Sequence, residues 1–346
     1  MASRKVWLDN LKMLAMLMVV VYHTPPRYDN AHEAALFNMG APVFFFAAGY
    51  LFNIGKQRSF LSFLLHRARQ LLVPYTSFFV AFYALWLNVG RRLAGGDEMA
   101  IGALVPLKQF VQGMPDVVLG TFWFIAALFT MQLIYYPIKR YLTGWWPFVV
   151  AMLLNLSFFV LPDIPWLRYW NLDKAMLYMP IYAFGNCMAF PSSSGRNGEL
   201  LTSHTPLHLM AWVVLAAAGI GLLVWGPLHI NREVAYILAP WAVIMTIPLY
   251  VAVSRWLEGS SALSRFAHVV AVTSITYLAL QNYLIGVIKM LLARLLGESV
   301  FDDNILLKVC IALAVMAILY PISMLVDRYF PFMLGKRSST LPRRMA

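Results

Sequence analysis

Asp9, Lys12 and His23 are three ionisable residues within one apolar stretch, VWLDNLKMLAMLMVVVYH over residues 6–23. On a helix turning 100° per residue, the eleven-residue step from Lys12 to His23 closes to within about 20°. The two side chains therefore share a face, roughly 16 Å apart along the axis. Asp9 lies one turn before Lys12 on the same side, close enough to pair with it. A charge held at a bilayer centre costs about 2.5–3.5 kcal/mol, so such residues usually face a polar interior. Two readings follow. In one, Asp9 and Lys12 reach back to the headgroups and His23 ends the helix before Thr24-Pro25-Pro26. In the other, the shared face lines a polar passage, with an imidazole that titrates near neutrality at its far end.

The elements that must position these residues are membrane helices. Of 346 residues, 61% are hydrophobic and 12% charged, against roughly 45–50% and 25% in an ordinary soluble domain. Mean hydropathy is +0.69. A chain of this size cannot hide so much apolar surface in a water-soluble globule, and an all-α polytopic membrane protein is expected. Ten segments are long and apolar enough to span: 6–23, 35–54, 70–90, 118–138, 145–162, 174–190, 207–226, 234–253, 266–292 and 304–326. Segment 99–114 is too polar and short, and is expected along the interface. The first helix is read as retained rather than cleaved, because no small-x-small site follows it and it contains Asp9 and Lys12.

With the N-terminus inside, the inner connections hold Arg4, Lys5, Lys56, Arg58, Arg67, Arg69, Lys139 and Arg140, whereas the outer ones are neutral or acidic. The positive-inside rule places both termini in the cytoplasm. It also accounts for the net charge of +12 without a nucleic-acid partner. The expected organisation is one membrane domain over 1–330 and a basic cytoplasmic tail over 331–346. Cys187 and Cys310 lie in apolar runs, give no disulfide framework or metal spacing, and read as buried thiols. Asn155-Leu-Ser157 is a glycosylation sequon in mid-span, where no glycan could attach.

Five stretches together carry a resemblance. WLDNLKMLAMLMVVVYH is similar to the opening helix of the integral-membrane acyltransferase family 3, marked by Arg or Lys, ten residues, then His. PVFFFAAGYLF (42–52) resembles the family's second-helix pattern, with Ala48 in place of a serine before Gly49-Tyr50. HRARQLLVPY (66–75) resembles its Arg-x-x-Arg stretch; aligned on Pro74-Tyr75, Arg67 takes the first arginine position, Gln70 the second, and Arg69 falls one early. TFWFIAALFTMQL (121–133) and SITYLALQNYLIGV (274–287) are similar to two later helices, with Gln281 where a histidine is common. The resemblance covers most of the chain, and implies transfer of an acyl group, acetyl foremost, from cytoplasmic acyl-CoA to a carbohydrate on the outer side of a bacterial inner membrane. It implies no permanently bound cofactor, and no metal ligands are expected. The soluble SGNH domain of some members is absent from this sequence.

Such a reaction needs a cradle for the CoA phosphates, a path for the acyl arm and a base near the acceptor. Arg67 and Arg69, with Gln70 and helped by Lys56 and Arg58, are the expected cradle, since guanidinium forks bind phosphate in a bidentate way; an ordinary positive-inside loop is the plainer reading. His23 is the expected general base, or else the first acyl acceptor. Lys12 would line the pantetheine channel or hold Asp9. Trp123, Gln281 and Asn282 are candidates for substrate contact, against an interfacial belt for the first and helix–helix hydrogen bonding for the others. Asp163, Arg168 and Asp173 decorate an outer loop. Lys289 and Lys308 are expected to snorkel, and His32, His66, His204, His208, His229 and His268 fall in or beside loops. A secondary transporter is the main rival, although no internal repeat supports it; a non-catalytic assembly subunit is the other, and would leave the Lys12–His23 face unexplained.

Overall fold

The computed structural model describes residues 4–25, 39–56, 59–91, 101–157, 164–189, 206–301 and 304–337. All regular structure among them is helical. We label the helices α1 (Val6–His23), α2 (Gly40–Leu51), α3 (Phe60–Gly90), α4 (Leu104–Val111), α5 (Asp116–Tyr141) and α6 (Trp146–Leu156). They continue with α7 (Leu172–Ala189), α8 (Pro206–His229), α9 (Arg232–Trp256), α10 (Ser261–Val272), α11 (Ser274–Leu296) and α12 (Ile305–Tyr329). Seven helices are long and apolar enough to cross a membrane, and each of the ten expected segments contains helix. The protein is an all-α polytopic membrane protein.

Two boundaries differ from expectation. The span expected over 266–292 is two helices, α10 and α11, parted at Thr273. That residue leaves helical geometry (φ −110°, ψ 19°), and its hydroxyl donates to the Val269 carbonyl at 2.6 Å, a local bond that competes with continuing the ladder. The span expected over 70–90 starts earlier, at Phe60, capped by the Ser59 hydroxyl, which accepts from the Ser62 N–H. Its helix passes through a π turn at Ala68–Leu72 and another at Trp86–Gly90. Segment 104–111, expected along the interface, is the short helix α4.

The chain divides into two compact units. The first comprises Met1–Phe52, Leu142–Val160 and Leu177–Met324. At its heart α1 packs on α2, α9, α10 and α11, burying Leu11, Ala15, Met16 and Val20 completely. Glycines permit the closest approaches. A side-chain carbon on Gly40 would strike the Ala15 carbonyl and Val19; one on Gly49 would strike the Tyr182 carbonyl; and one on Gly185 would strike the Phe46 carbonyl. The Gly49-Tyr50 pair therefore marks a backbone-to-backbone crossing of α2 with the C-terminal part of α7. Asn186 sews it by donating to the Gly49 and Phe52 carbonyls at 3.1 and 2.8 Å. Asn155 of the mid-span sequon is fully buried and donates to the Leu177 carbonyl at 3.1 Å, a packing role that accounts for it.

The second unit comprises Asn53–Tyr141, Leu161–Met176 and Leu325–Ala346. Tyr75 stacks with Phe110 and Phe122, and its hydroxyl donates to the Phe110 carbonyl at 3.0 Å. Asn171 donates to the Gly113 carbonyl at 2.7 Å, holding the turn before α7 against the one before α5. In the first unit, Cys187 is buried but Cys310 of α12 is exposed; the expectation that both are buried holds for one only.

Candidate active site

His23 is the last helical residue of α1. Pro25 sets the stop: the residue before a proline is driven to extended geometry, and Thr24 adopts it (φ −80°, ψ 137°). The Thr24 hydroxyl donates back to the Val20 carbonyl at 2.8 Å, firming the final turn. In that turn the His23 Nδ1 lies 2.8 Å from the Val19 carbonyl oxygen. A carbonyl only accepts, so Nδ1 carries the proton and the lone pair of the neutral ring sits on Nε2. Gly40 packs closely on the side chain and N–H of Val19, the residue whose carbonyl does this. Helix stop and backbone acceptor together set the tautomer and orientation of the ring. Lys12 and His23, expected on one face, are both half-buried.

Asp9 departs from expectation. It pairs with Arg4 (Nε to Oδ2, 2.8 Å) and with His268 of α10 (Nδ1 to Oδ2, 2.9 Å), and among the described residues no ion pair joins it to Lys12. Arg4 also donates to the Ser264 carbonyl at 3.1 Å, one turn before His268. Both donors meet Oδ2, so the carboxylate is engaged by a residue ahead of α1 and by α10. Beside this cluster, Lys5 donates to the Tyr50 hydroxyl at 2.7 Å, Arg255 lies 5.5 Å from the Trp7 ring centre, and buried Asn10 donates to the Ser254 carbonyl at 2.8 Å. The opening turns of α1 thus carry a basic rim around a carboxylate–imidazole pair.

Gln281 and Asn282 are separated by the structure. Gln281 is fully buried, and neither its amide oxygen nor its amide nitrogen has a hydrogen-bond partner among the described residues. Asn282 is exposed, as the 100° step between neighbours on a helix requires. An unpaired buried amide costs about 1–3 kcal/mol, so Gln281, on a helix that packs against α1, is the stronger candidate for substrate contact. Lys308, expected to snorkel, is instead 2% exposed. Lys289 is half exposed, with Glu298 at 3.9 Å.

In the second unit, Arg67 lies over the Phe63 ring at 5.4 Å and donates to the Gln70 side-chain oxygen at 2.9 Å. Gln70 therefore aims Arg67. Arg69, one position away and exposed, sits in the π turn and donates through Nε to the Gly335 carbonyl at 2.9 Å. Trp123 opens the main run of α5, with the Lys174 ammonium 4.4 Å from its ring centre. Arg168 is exposed, Asp173 accepts from the Lys174 N–H at 2.8 Å, and Lys56 ends a 3-10 turn. His66, His208 and His268 lie within helices, and His229 closes α8. Arg58, Asp163, His32 and His204 lie outside the described residues.

His268 is the group that sequence reasoning passed over. Its position four residues after Ser264 was legible, but its partner lies 259 residues away and only the fold brings them together. No curated protein and no solved structure matches the chain. The family described as the acyltransferase domain (Acyl_transf_3) matches residues 5–327, nearly the whole length; of the residues discussed above, Arg4 and Gly335 lie outside the match. The chain belongs to this family, and the protein is a membrane acyltransferase.

Proposed function

We propose that the protein moves an acyl group, acetyl foremost, from cytoplasmic acyl-CoA to a hydroxyl of a carbohydrate on the outer side of a bacterial inner membrane, with His23 as general base. The observation that carries this reading is the Nδ1 contact of His23 with the Val19 carbonyl, which leaves Nε2 as the basic nitrogen. In the reaction the acceptor hydroxyl attacks the thioester carbonyl and its proton passes to Nε2. The C–S bond breaks, the C–O ester bond forms, and the CoA thiolate leaves with a proton. General-base help of this kind is worth about 10²–10⁴-fold. Attack by Nε2 itself, giving an acyl-imidazole that the hydroxyl then cleaves, uses the same nitrogen.

The remaining residues divide by chemistry. With the N-terminus inside, as the charge pattern implies, the arginine stretch at 67–69 faces the compartment that holds CoA, and its forks suit the phosphates. Gln70 holds Arg67 for that task. Half-buried Lys12 lines the path of the pantetheine arm, and the unpaired amide of Gln281 supplies a donor and an acceptor to the passing substrate. Trp123 offers an aromatic face to the C–H groups of a sugar ring. The acceptor class includes lipopolysaccharide O-antigen, periplasmic glucan, exopolysaccharide and small glycosides.

The test is acyl transfer by purified, reconstituted protein supplied with radiolabelled acetyl-CoA and surface glycan prepared from cells lacking the gene. The expected result is label in the glycan, lost on His23→Ala with protein level retained. Uptake of unmodified solute without label transfer would replace this reading with a transporter.

A further inference from the structure

α12 is followed by a hook. Pro331–Leu334 forms a 3-10 turn closed by two backbone bonds, Gly335 N–H to the Phe332 carbonyl at 3.0 Å and Lys336 N–H to the Pro331 carbonyl at 2.9 Å. The turn packs on the Val73–Leu85 part of α3. It is pinned by side chains at two neighbouring residues. The Arg69 Nε donates to the Gly335 carbonyl, and Lys336 Nζ meets an Asp327 carboxylate oxygen at 2.6 Å, Asp327 being fully buried. Gly335 is required twice over. Its φ of +66° is left-handed, and a side-chain carbon there would strike the Arg69 carbonyl.

A guanidinium has five N–H donors. Committing Nε to a fixed carbonyl leaves the Nη1–Nη2 edge of Arg69 as an oriented fork, the geometry that matches two phosphate oxygens. Lys336, one residue after Gly335, neutralises the buried Asp327 carboxylate, which would otherwise repel an anion. Arg337, next in the chain, is exposed. The family match stops at residue 327, so nothing in it describes the hook.

We infer that the hook over residues 330–337 is a positioning element of the acyl-CoA site: Gly335 orients Arg69 toward the nucleotide phosphates, and Arg337 adds a cation beside them. This rests on the reading of Arg67 and Arg69 as phosphate ligands given above.

The experiment compares acetyl-CoA with acetyl-pantetheine, the same thioester without nucleotide phosphates, in the reconstituted protein. Gly335→Ala raises KM for acetyl-CoA about tenfold, leaves kcat within about twofold, and leaves acetyl-pantetheine turnover unchanged. An equal change for both thioesters, or none for either, overturns the inference. Arg67→Ala keeps the two levels apart. If it raises KM for acetyl-CoA while Gly335→Ala does not, the hook inference alone fails. If neither Arg67→Ala nor Arg69→Ala discriminates the thioesters, the phosphate reading fails and the hook with it. Should Gly335→Ala not accumulate, Arg337→Cys on the exposed position carries the test. Maleimide labelling of its tail peptide, read by mass spectrometry, is slowed by CoA but not by pantetheine, and labelling indifferent to CoA overturns the inference.

Discussion

The end of α1 and the arginine stretch of α3 solve the same problem, holding a polar side chain in a chosen direction, by opposite means. His23 is oriented by its own helix: the carbonyl it uses is four residues away, and a glycine seats α2 on that turn. Arg69 is oriented by a carbonyl 266 residues away, and both it and Arg337 stand exposed. In the proposed reaction, a base that meets a hydroxyl in one place gains from a rigid, local frame. In that same proposed reaction, cations that receive and release a large, flexible nucleotide can stand on an exposed surface and be steered by a remote segment. The first arrangement should fail through packing and the second through affinity, and substitutions can separate the two.

The largest effect is expected at the packing end. Gly49→Val forces side-chain atoms into the Tyr182 backbone, which cannot yield as a flexible side chain would. Overpacking of this kind costs about 1–3 kcal/mol and more against backbone, so the folded yield and the thermal midpoint in detergent should both fall sharply. An unchanged midpoint would mean that the crossing of α2 and α7 is looser than described. Arg67→Ala should raise KM for acetyl-CoA about tenfold, equal to about 1.4 kcal/mol, with the thermal midpoint preserved; a lost midpoint with unchanged KM would place Arg67 among the packing residues. Asp9→Asn removes the charge shared by Arg4 and His268 and should cost about 1 kcal/mol of stability, read from the same melting curves. Lys289→Ala, whose partner is 3.9 Å away with both side chains well exposed, should change stability by less than about 0.5 kcal/mol.

Much of this was legible in the sequence, for identifiable reasons. Apolar length alone located helix in all ten segments, because a bilayer imposes a length on whatever crosses it. The Lys12–His23 face was legible because helical rotation is fixed. Thr273 was not, since the bond that ends α10 is made by a hydroxyl within an otherwise continuous apolar pattern. The partner of Asp9 was assigned by spacing along one helix, yet two other donors captured the carboxylate, one of them on α10. Gln281 and Asn282 were grouped because both are polar, although adjacent helical residues point 100° apart and only Gln281 turns inward. The misplaced second arginine made sense only once the π turn and the Gly335 carbonyl were seen together. Arg69 bonds the Gly335 carbonyl there, while Gln70 accepts from Arg67. Lys308 is buried, a fact its position near a helix end concealed.

The central claim is that His23 Nε2 takes the acceptor proton. It is tested most directly by measuring acyl transfer for His23→Ala in the reconstituted protein, with and without added imidazole. The account predicts a loss of at least a hundredfold at unchanged thermal midpoint, with part of the activity restored by imidazole. Transfer by the alanine variant at the wild-type rate would contradict it.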